Sequence, residues 1–275
     1  MTVSATRYAR CAVPLLAAIA GACGKVDAMA QVDGAIHDAP PIDAPLGTQG
    51  NPARTCAELH VEAQPSAVYW LRSSQATAAF EVYCEQELNG GGWAMVVNSV
   101  RRADGTTTAF WQRNYVDRLR RFGLPAPDQN YYDGSLYLIG HEYMDVFVDL
   151  QGTTKVAAIM SATGINPATM QFTMPAFVSG NQSVYASEFA SGWSAQDFDG
   201  DTSTIDNCAQ SSSNVAQHYA ACWNYNLGAD GDAPRFDGGV GPHVYNGLLT
   251  SLEFALQANS GEYSQVLRIA RFTRW

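Results

Sequence analysis

Four cysteines limit the folds open to this sequence more than any other feature: Cys56, Cys84, Cys208 and Cys222. In an oxidising compartment an even set reads as two disulfides, and in a reducing one as free buried thiols. Four cysteines allow three pairings. The local pairs, Cys56–Cys84 and Cys208–Cys222, close the shortest loops. Each bridge would stabilise the fold by about 3 kcal/mol by restricting the unfolded chain. The other two of the six cysteines, Cys11 and Cys23, lie near the start of the sequence.

The segment around those two sets the compartment. Arg7 and Arg10 precede an uncharged run from Cys11 to Ala22. That run has the length of a secretion-signal core and is too short to cross a bilayer as a helix. It ends in Ala20-Gly21-Ala22-Cys23, which resembles a bacterial lipobox, where small residues precede a cysteine lipidated after cleavage. A plain secretory signal cut at the same small residues is the alternative. Both readings make residues 1–22 a signal peptide and export the mature protein. The first also makes Cys23 the attachment point of a membrane anchor at the outer membrane or cell surface.

Residues 23–54 read as a disordered tether. Asp27-Ala28, Asp38-Ala39-Pro40-Pro41 and Asp43-Ala44-Pro45 repeat there without an aromatic residue or apolar periodicity. Such a segment cannot bury enough surface to offset its ordering entropy, and its Pro and Asp residues keep it extended. Residues 55–275 read as one globular domain. The 47% apolar content of the sequence supports a core. The net charge of −10 excludes a nucleic-acid partner, because holding phosphates needs a basic face.

Short apolar runs rich in β-branched and aromatic residues mark strands at Val68–Leu71, Phe80–Cys84, Trp93–Val97, Val146–Val148, Val156–Met160 and Val266–Phe272. Asn89-Gly90-Gly91-Gly92 is a turn. Tyr115, Leu119 and Phe122 recur at helical spacing behind Asn114, so Asn114 to Phe122 is expected to be a helix. Ser187 to Val244 is long and loop-rich, the kind of region that carries binding on a rigid scaffold. The class is α+β, with short antiparallel sheets, few helices and long ordered loops.

Several of these runs, read together, resemble fibrinogen C-terminal domains, the group that includes ficolins and tachylectins. They are Cys56-Ala57-Glu58-Leu59, Val68-Tyr69-Trp70-Leu71, Phe80-Glu81-Val82-Tyr83-Cys84-Glu85 and Gly90-Gly91-Gly92-Trp93-Ala94-Met95-Val96. Further on, Asp197-Phe198-Asp199-Gly200-Asp201 followed by Asn207-Cys208-Ala209 looks like the family's calcium loop and its NCA segment. Cys222, Asn226-Leu227, Gly239-Val240, Tyr245, Gly247 and Ser251-Leu252 keep the order of the family's later segments. The resemblance implies a binding module, with acetylated sugars held beside a calcium ion in some relatives. It also implies a cis peptide bond at Ala221–Cys222, which would cost about 3 kcal/mol and mark a strained loop.

The acidic loop also stands on its chemistry. Ca²⁺ takes six to eight oxygens from carboxylates, carbonyls and water. Asp197, Asp199 and Asp201 alternate along an irregular stretch, and Thr202 to Ile205 can add carbonyls. By resemblance Asp199 and Asp201 are the direct side-chain ligands. A solvated acidic turn is the plainer reading. Near Cys222, the side chains of His218, Tyr219, Trp223, Tyr225 and Tyr245 are candidate walls of a sugar or acetyl pocket, or else core packing. Gln217-His218 stands where the family has a Trp pair, and Trp223 where it has a His. No Gly-x-Ser-x-Gly or His-Glu-x-x-His motif suggests catalysis, and His60, His141, His218 and His243 are scattered.

The expected function is therefore recognition of a carbohydrate or another cell-surface ligand with help from Ca²⁺, by an exported lipoprotein that is not an enzyme. The alternative is an adhesive or structural envelope protein without a small-molecule site. Intact-mass analysis of membrane fractions should find a mature protein that begins at an acylated Cys23. An unmodified terminus at another residue would refute lipidation and leave secretion standing.

Overall fold

The computed structural model describes residues 44–74, 76–101, 111–189, 192–222, 225–229, 241–254 and 262–275. The expected signal peptide, Cys23, most of the expected tether and Trp223 lie outside them.

Strands form where the sequence is richest in Val, Ile, Met and aromatic residues. In sequence order they are β1 (Ala67–Leu71), β2 (Phe80–Glu85), β3 (Trp93–Val100), β4 (Arg121–Gly123), β5 (Tyr131–Asp133), β6 (Glu142–Val148), β7 (Thr154–Ser161), β8 (Gly164–Ile165), β9 (Phe172–Thr173), β10 (Ala176–Gly180), β11 (Trp193–Ser194), β12 (Gln217–His218), β13 (His243–Tyr245), β14 (Tyr263–Gln265) and β15 (Arg268–Arg274). Among the described residues four short helices join them: α1 (Cys56–Val61), α2 (Gln182–Glu188), α3 (Cys208–Ser211) and α4 (Asn246–Ser251).

The main sheet runs β1-β2-β3-β15-β6-β7-β10, with β5 on β3 and β4 on β5. All its ladders are antiparallel. The central strands are buried on both faces, so they read as continuous apolar runs. Successive residues still alternate between two clusters. Tyr143, Phe147, Met160 and Ile269 join the larger one. Met144, Val146, Ile159, Ala270 and Phe272 join the other. The remaining strands form two-stranded ribbons: β8 with β9, β11 with β12, and β13 with β14.

Both expected disulfides are present. Cys56 on α1 is bonded to Cys84 on β2, with a Cα–Cα distance of 5.4 Å. Cys208 on α3 is bonded to Cys222, with a Cα–Cα distance of 4.8 Å. The first helix is capped by the Thr55 hydroxyl, which accepts the Glu58 N–H.

Two expectations are corrected. Asn114 to Phe122 is not a helix. Tyr115–Asp117 form one 3-10 turn, and Arg121–Gly123 become β4. The apolar spacing there was a true burial signal, since Tyr115, Leu119 and Phe122 all pack against the core. Tertiary contacts decide the backbone instead. The Tyr115 ring stacks on Phe198, and Phe122 pairs with Tyr132 across β4 and β5. Asn114 does not cap; its Oδ1 accepts from Gln196 Nε2 at 2.6 Å.

Residues 44–54, expected to be part of a disordered tether, are ordered instead. Within 44–54, the Gly47 carbonyl accepts from Trp70 N–H, Ala53 N–H donates to the Trp70 carbonyl, and Ala53 is fully buried. These bonds cover the free edge of β1.

One ion pair lies inside this core. Arg271 on β15 sits opposite Asp145 on β6. Its Nε and Nη2 each donate to a carboxylate oxygen of Asp145 at 2.7 Å, and both residues are fully buried. Burial alone would lower the pKa of Arg271, but the Asp145 carboxylate outweighs it and holds the guanidinium protonated. Removing one partner leaves a buried charge uncompensated, so Asp145→Ala should lower unfolding free energy by about 3–5 kcal/mol in urea titrations. The double change Asp145→Ala with Arg271→Met should recover much of that loss. A single variant as stable as wild type would refute the role given to this pair.

Candidate functional site

The acidic loop is built from three anchors. Ala195 and Phe198 exchange backbone hydrogen bonds and close a tight turn. Asn207 Nδ2 donates to the carbonyls of both, while its Oδ1 caps α3 through the N–H groups of Ala209 and Gln210. Gly200 then passes so close to Trp193 that a Cβ on it would lie 2.4 Å from the Trp193 carbonyl oxygen. Only glycine fits that approach.

The three aspartates have different duties. Asp197 Oδ1 accepts the Tyr115 N–H at 2.8 Å, so it ties the loop to the 3-10 turn. Asp201 accepts from the Ser194 hydroxyl and the Cys208 N–H through Oδ2, and from the Ser203 N–H through Oδ1. Asp199 is exposed at the tip. Its carboxyl is raised above the usual range by desolvation and then by the charge of the adjacent Asp201 carboxylate. The structure therefore brings Asp199 and Asp201 together. Among the described residues, no group of three His, Cys, Asp or Glu side chains converges as metal ligands do.

The same loop reaches the second disulfide. Thr202 N–H donates to the Ala220 carbonyl, and Asp201 holds Cys208 by its N–H. Cys222 has φ 67°, a left-handed conformation that a non-glycine residue seldom adopts. The expected cis bond at Ala221–Cys222 is absent; the bond is trans. Beside it lies an open recess of about 290 Å³ lined by Ser183, Ala186, Ser187, Ala220, Ala221 and Cys222.

The expected aromatic walls are placed differently. His218, Tyr219 and Tyr225 are buried in the core, which matches the core-packing alternative and not walls of an open pocket. Tyr219 donates its hydroxyl to the Val215 carbonyl at 2.6 Å. Tyr225 donates its hydroxyl to Asp145, and its ring packs on Phe147 at 5.0 Å. Tyr245 is the exposed member of the set, edge-on to Tyr263.

Sequence reasoning missed the buried polar cluster that these residues serve. His218 Nε2–H donates to the Met170 carbonyl at 2.9 Å, and Nδ1 accepts from Arg271 Nη1 at 3.4 Å. The ring stacks on Phe172. The Arg271 guanidinium lies over the Phe189 ring at 4.1 Å. Glu188 at the end of α2 is fully buried near Arg271, and burial pushes its carboxyl well above the usual range. The available signal was Arg271 itself, a charge in the middle of the apolar run Val266 to Phe272.

Comparison with known proteins agrees with this architecture. Residues 52–257 match the family model for the globular domain at the C-terminal end of the fibrinogen beta and gamma chains. The protein belongs to that family. It is 35% identical over 72 residues to bovine angiopoietin-4, and 38% identical over 72 residues to the human protein. Those matches span 26% of this sequence and only 14% and 13% of the relatives' own lengths. The fold resembles the fibrinogen-like globe domain of human ANGPTL6, with a TM-score of 0.56, 22% identity, and 84% of this protein and 96% of that one covered. It also resembles the same domain of human ANGPTL2, with a TM-score of 0.57, 19% identity, and 81% and 99% covered.

The His218 environment has a consequence in acid. Burial, then the Arg271 charge, lowers its folded pKa to about 3, below the unfolded value of about 6.5. Between these values the unfolded state binds a proton that the folded one does not. Stability from this group is therefore lost as pH falls below about 6.5, by up to about 1.4 kcal/mol per pH unit. Glu188 acts in the opposite sense, so the comparison is made against His218→Gln, which retains Glu188. The stability difference between the two proteins should move in favour of the variant by about that slope from pH 6 to pH 4. A difference independent of pH would refute a neutral buried imidazole.

Proposed function

We propose that this domain is a calcium-assisted recognition module for a carbohydrate or another cell-surface ligand, on an exported protein anchored through lipid at Cys23. One observation carries the reading. Asp199 and Asp201 present two carboxyl groups to each other at a solvent-facing turn whose backbone is already held in place. Hard oxygen donors that repel each other without a cation suit Ca²⁺. Asp199 and Asp201 would hold the ion, with backbone carbonyls from Thr202 to Ile205. Asp197 supports the loop by its bond to Tyr115 and is the weakest candidate as a ligand.

The recess beside Cys222 supports a ligand seat next to that loop. Its lining is small and uncharged, which suits a neutral hydroxyl- or amide-bearing group better than an ion. The two disulfides support an oxidising, extracytosolic location. Recognition without catalysis accords with the family.

The second reading is an adhesive or structural envelope protein without a small-molecule site. It is favoured by the burial of His218, Tyr219 and Tyr225, which leaves Tyr245 as the exposed one of the four candidate pocket residues described.

A glycan array with calcium and with chelator separates the two. Binding lost on chelation supports the lectin reading, and no glycan bound in either condition supports the second. Calcium should also raise the melting temperature in proportion to occupancy. Asp199→Ala or Asp201→Ala should abolish that rise and weaken ligand binding, with both disulfides still formed. Equal calcium affinity by calorimetry in wild type and the double variant would exclude the site.

A further inference from the structure

Two edges of the main sheet, β1 and β10, are treated differently. The β1 edge is covered by the protein's own upstream segment, through the bonds from Gly47 and Ala53. The β10 edge has its ladder with β7 on one side. All five residues of β10 are exposed. Phe177 is 36% and Val178 50% exposed, and Met174 just before the strand is 75% exposed. The ring of Phe177 rests edge-on against Tyr185 of α2, which holds the strand in place.

Proteins protect such edges with Lys, other charges, Pro or bulges within the strand. This edge has an irregularity between Phe177 and Ser179 but no charge and no Pro. From Val156 to Ser187 there is no Asp, Glu, Lys, Arg or His, although the sequence has 26 acidic and 16 basic residues among 275. The uncharged stretch includes most of β7, all of β10 and all of α2 except its final residue, Glu188.

We propose that β10 is a strand-pairing surface for a second copy of this protein, joining two main sheets antiparallel about a two-fold axis. Charge selects that occupant. A basic partner would find no carboxylate on β10. Two copies of a protein with net charge −10 repel each other, and they can approach most closely where neither carries charge. Antiparallel pairing of an edge with itself is self-complementary. Pairing β10 with itself uses that edge in both copies, so this interface closes at two copies and does not grow into a filament.

The test uses the full-length protein with Cys23→Ala, so that no acyl group joins copies through a micelle. Sedimentation equilibrium should show a monomer–dimer equilibrium. Val178→Lys should weaken the dimer by about ten-fold or more, by placing two like charges in the pairing edge. Ser179→Lys serves as a second variant, and circular dichroism checks that each is folded. Hydrogen exchange of the 176–180 amides should slow as wild-type concentration rises, and should not in the variants. A wild type that stays monomeric at every concentration overturns the proposal and leaves an extended segment of another protein as the occupant. A dimer unchanged in both lysine variants, with 176–180 amides exchanging freely, also overturns it by placing the interface elsewhere.

Discussion

Arg271 and Asp145 face each other on neighbouring central strands with no access to water. A charge in that position is tolerable only when its partner and its hydrogen bonds are in place. That requirement reaches well beyond the sheet. Arg271 touches His218 and Phe189, and Asp145 accepts from Tyr225. Phe189, His218 and Tyr225 belong to a region poor in regular structure, and each is fixed onto the sheet by the need to satisfy one guanidinium and one carboxylate. A loop-rich region gains order from a few specific bonds where an apolar contact would leave it free to slide.

The acidic loop shows the same logic on a smaller scale. Asn207 alone satisfies two carbonyls and two N–H groups. Asp201 is oriented by three donors before any ligand arrives. Preorganisation of this kind lowers the ordering entropy that binding would otherwise cost. It also explains why three similar aspartates within five residues have separate duties, since each is set by the donor nearest to it.

Much of this was legible in the sequence. The strands around Val82, Val96, Phe147 and Ile159 announce themselves by composition, because a strand buried on both faces must be apolar throughout. The disulfide pairs follow the shortest loops. The helix expected at Asn114 was not there because spacing reports which residues are buried and not the backbone that buries them. Tyr115 and Phe122 pack inward as expected, but against Phe198 and Tyr132, whose proximity no local pattern contains. His218, Tyr219 and Tyr225 were left between two readings for a related reason. An aromatic with a polar atom suits a wet pocket or a dry hydrogen-bonded core equally well, and only the position of Asp145, Val215 and Met170 decides between them.

The strip from Ala44 to Ala53 along β1 has a mechanical meaning. A pull from upstream of residue 44 is first taken by the hydrogen bonds linking Gly47 and Ala53 to Trp70 and Arg72. Three residues beyond Ala53 the backbone reaches Cys56, covalently joined to β2. Force could therefore peel about ten residues and lengthen the upstream segment by some 30 Å. It would then load a covalent bond seated in the sheet. Such an arrangement acts as a shock absorber with a hard stop.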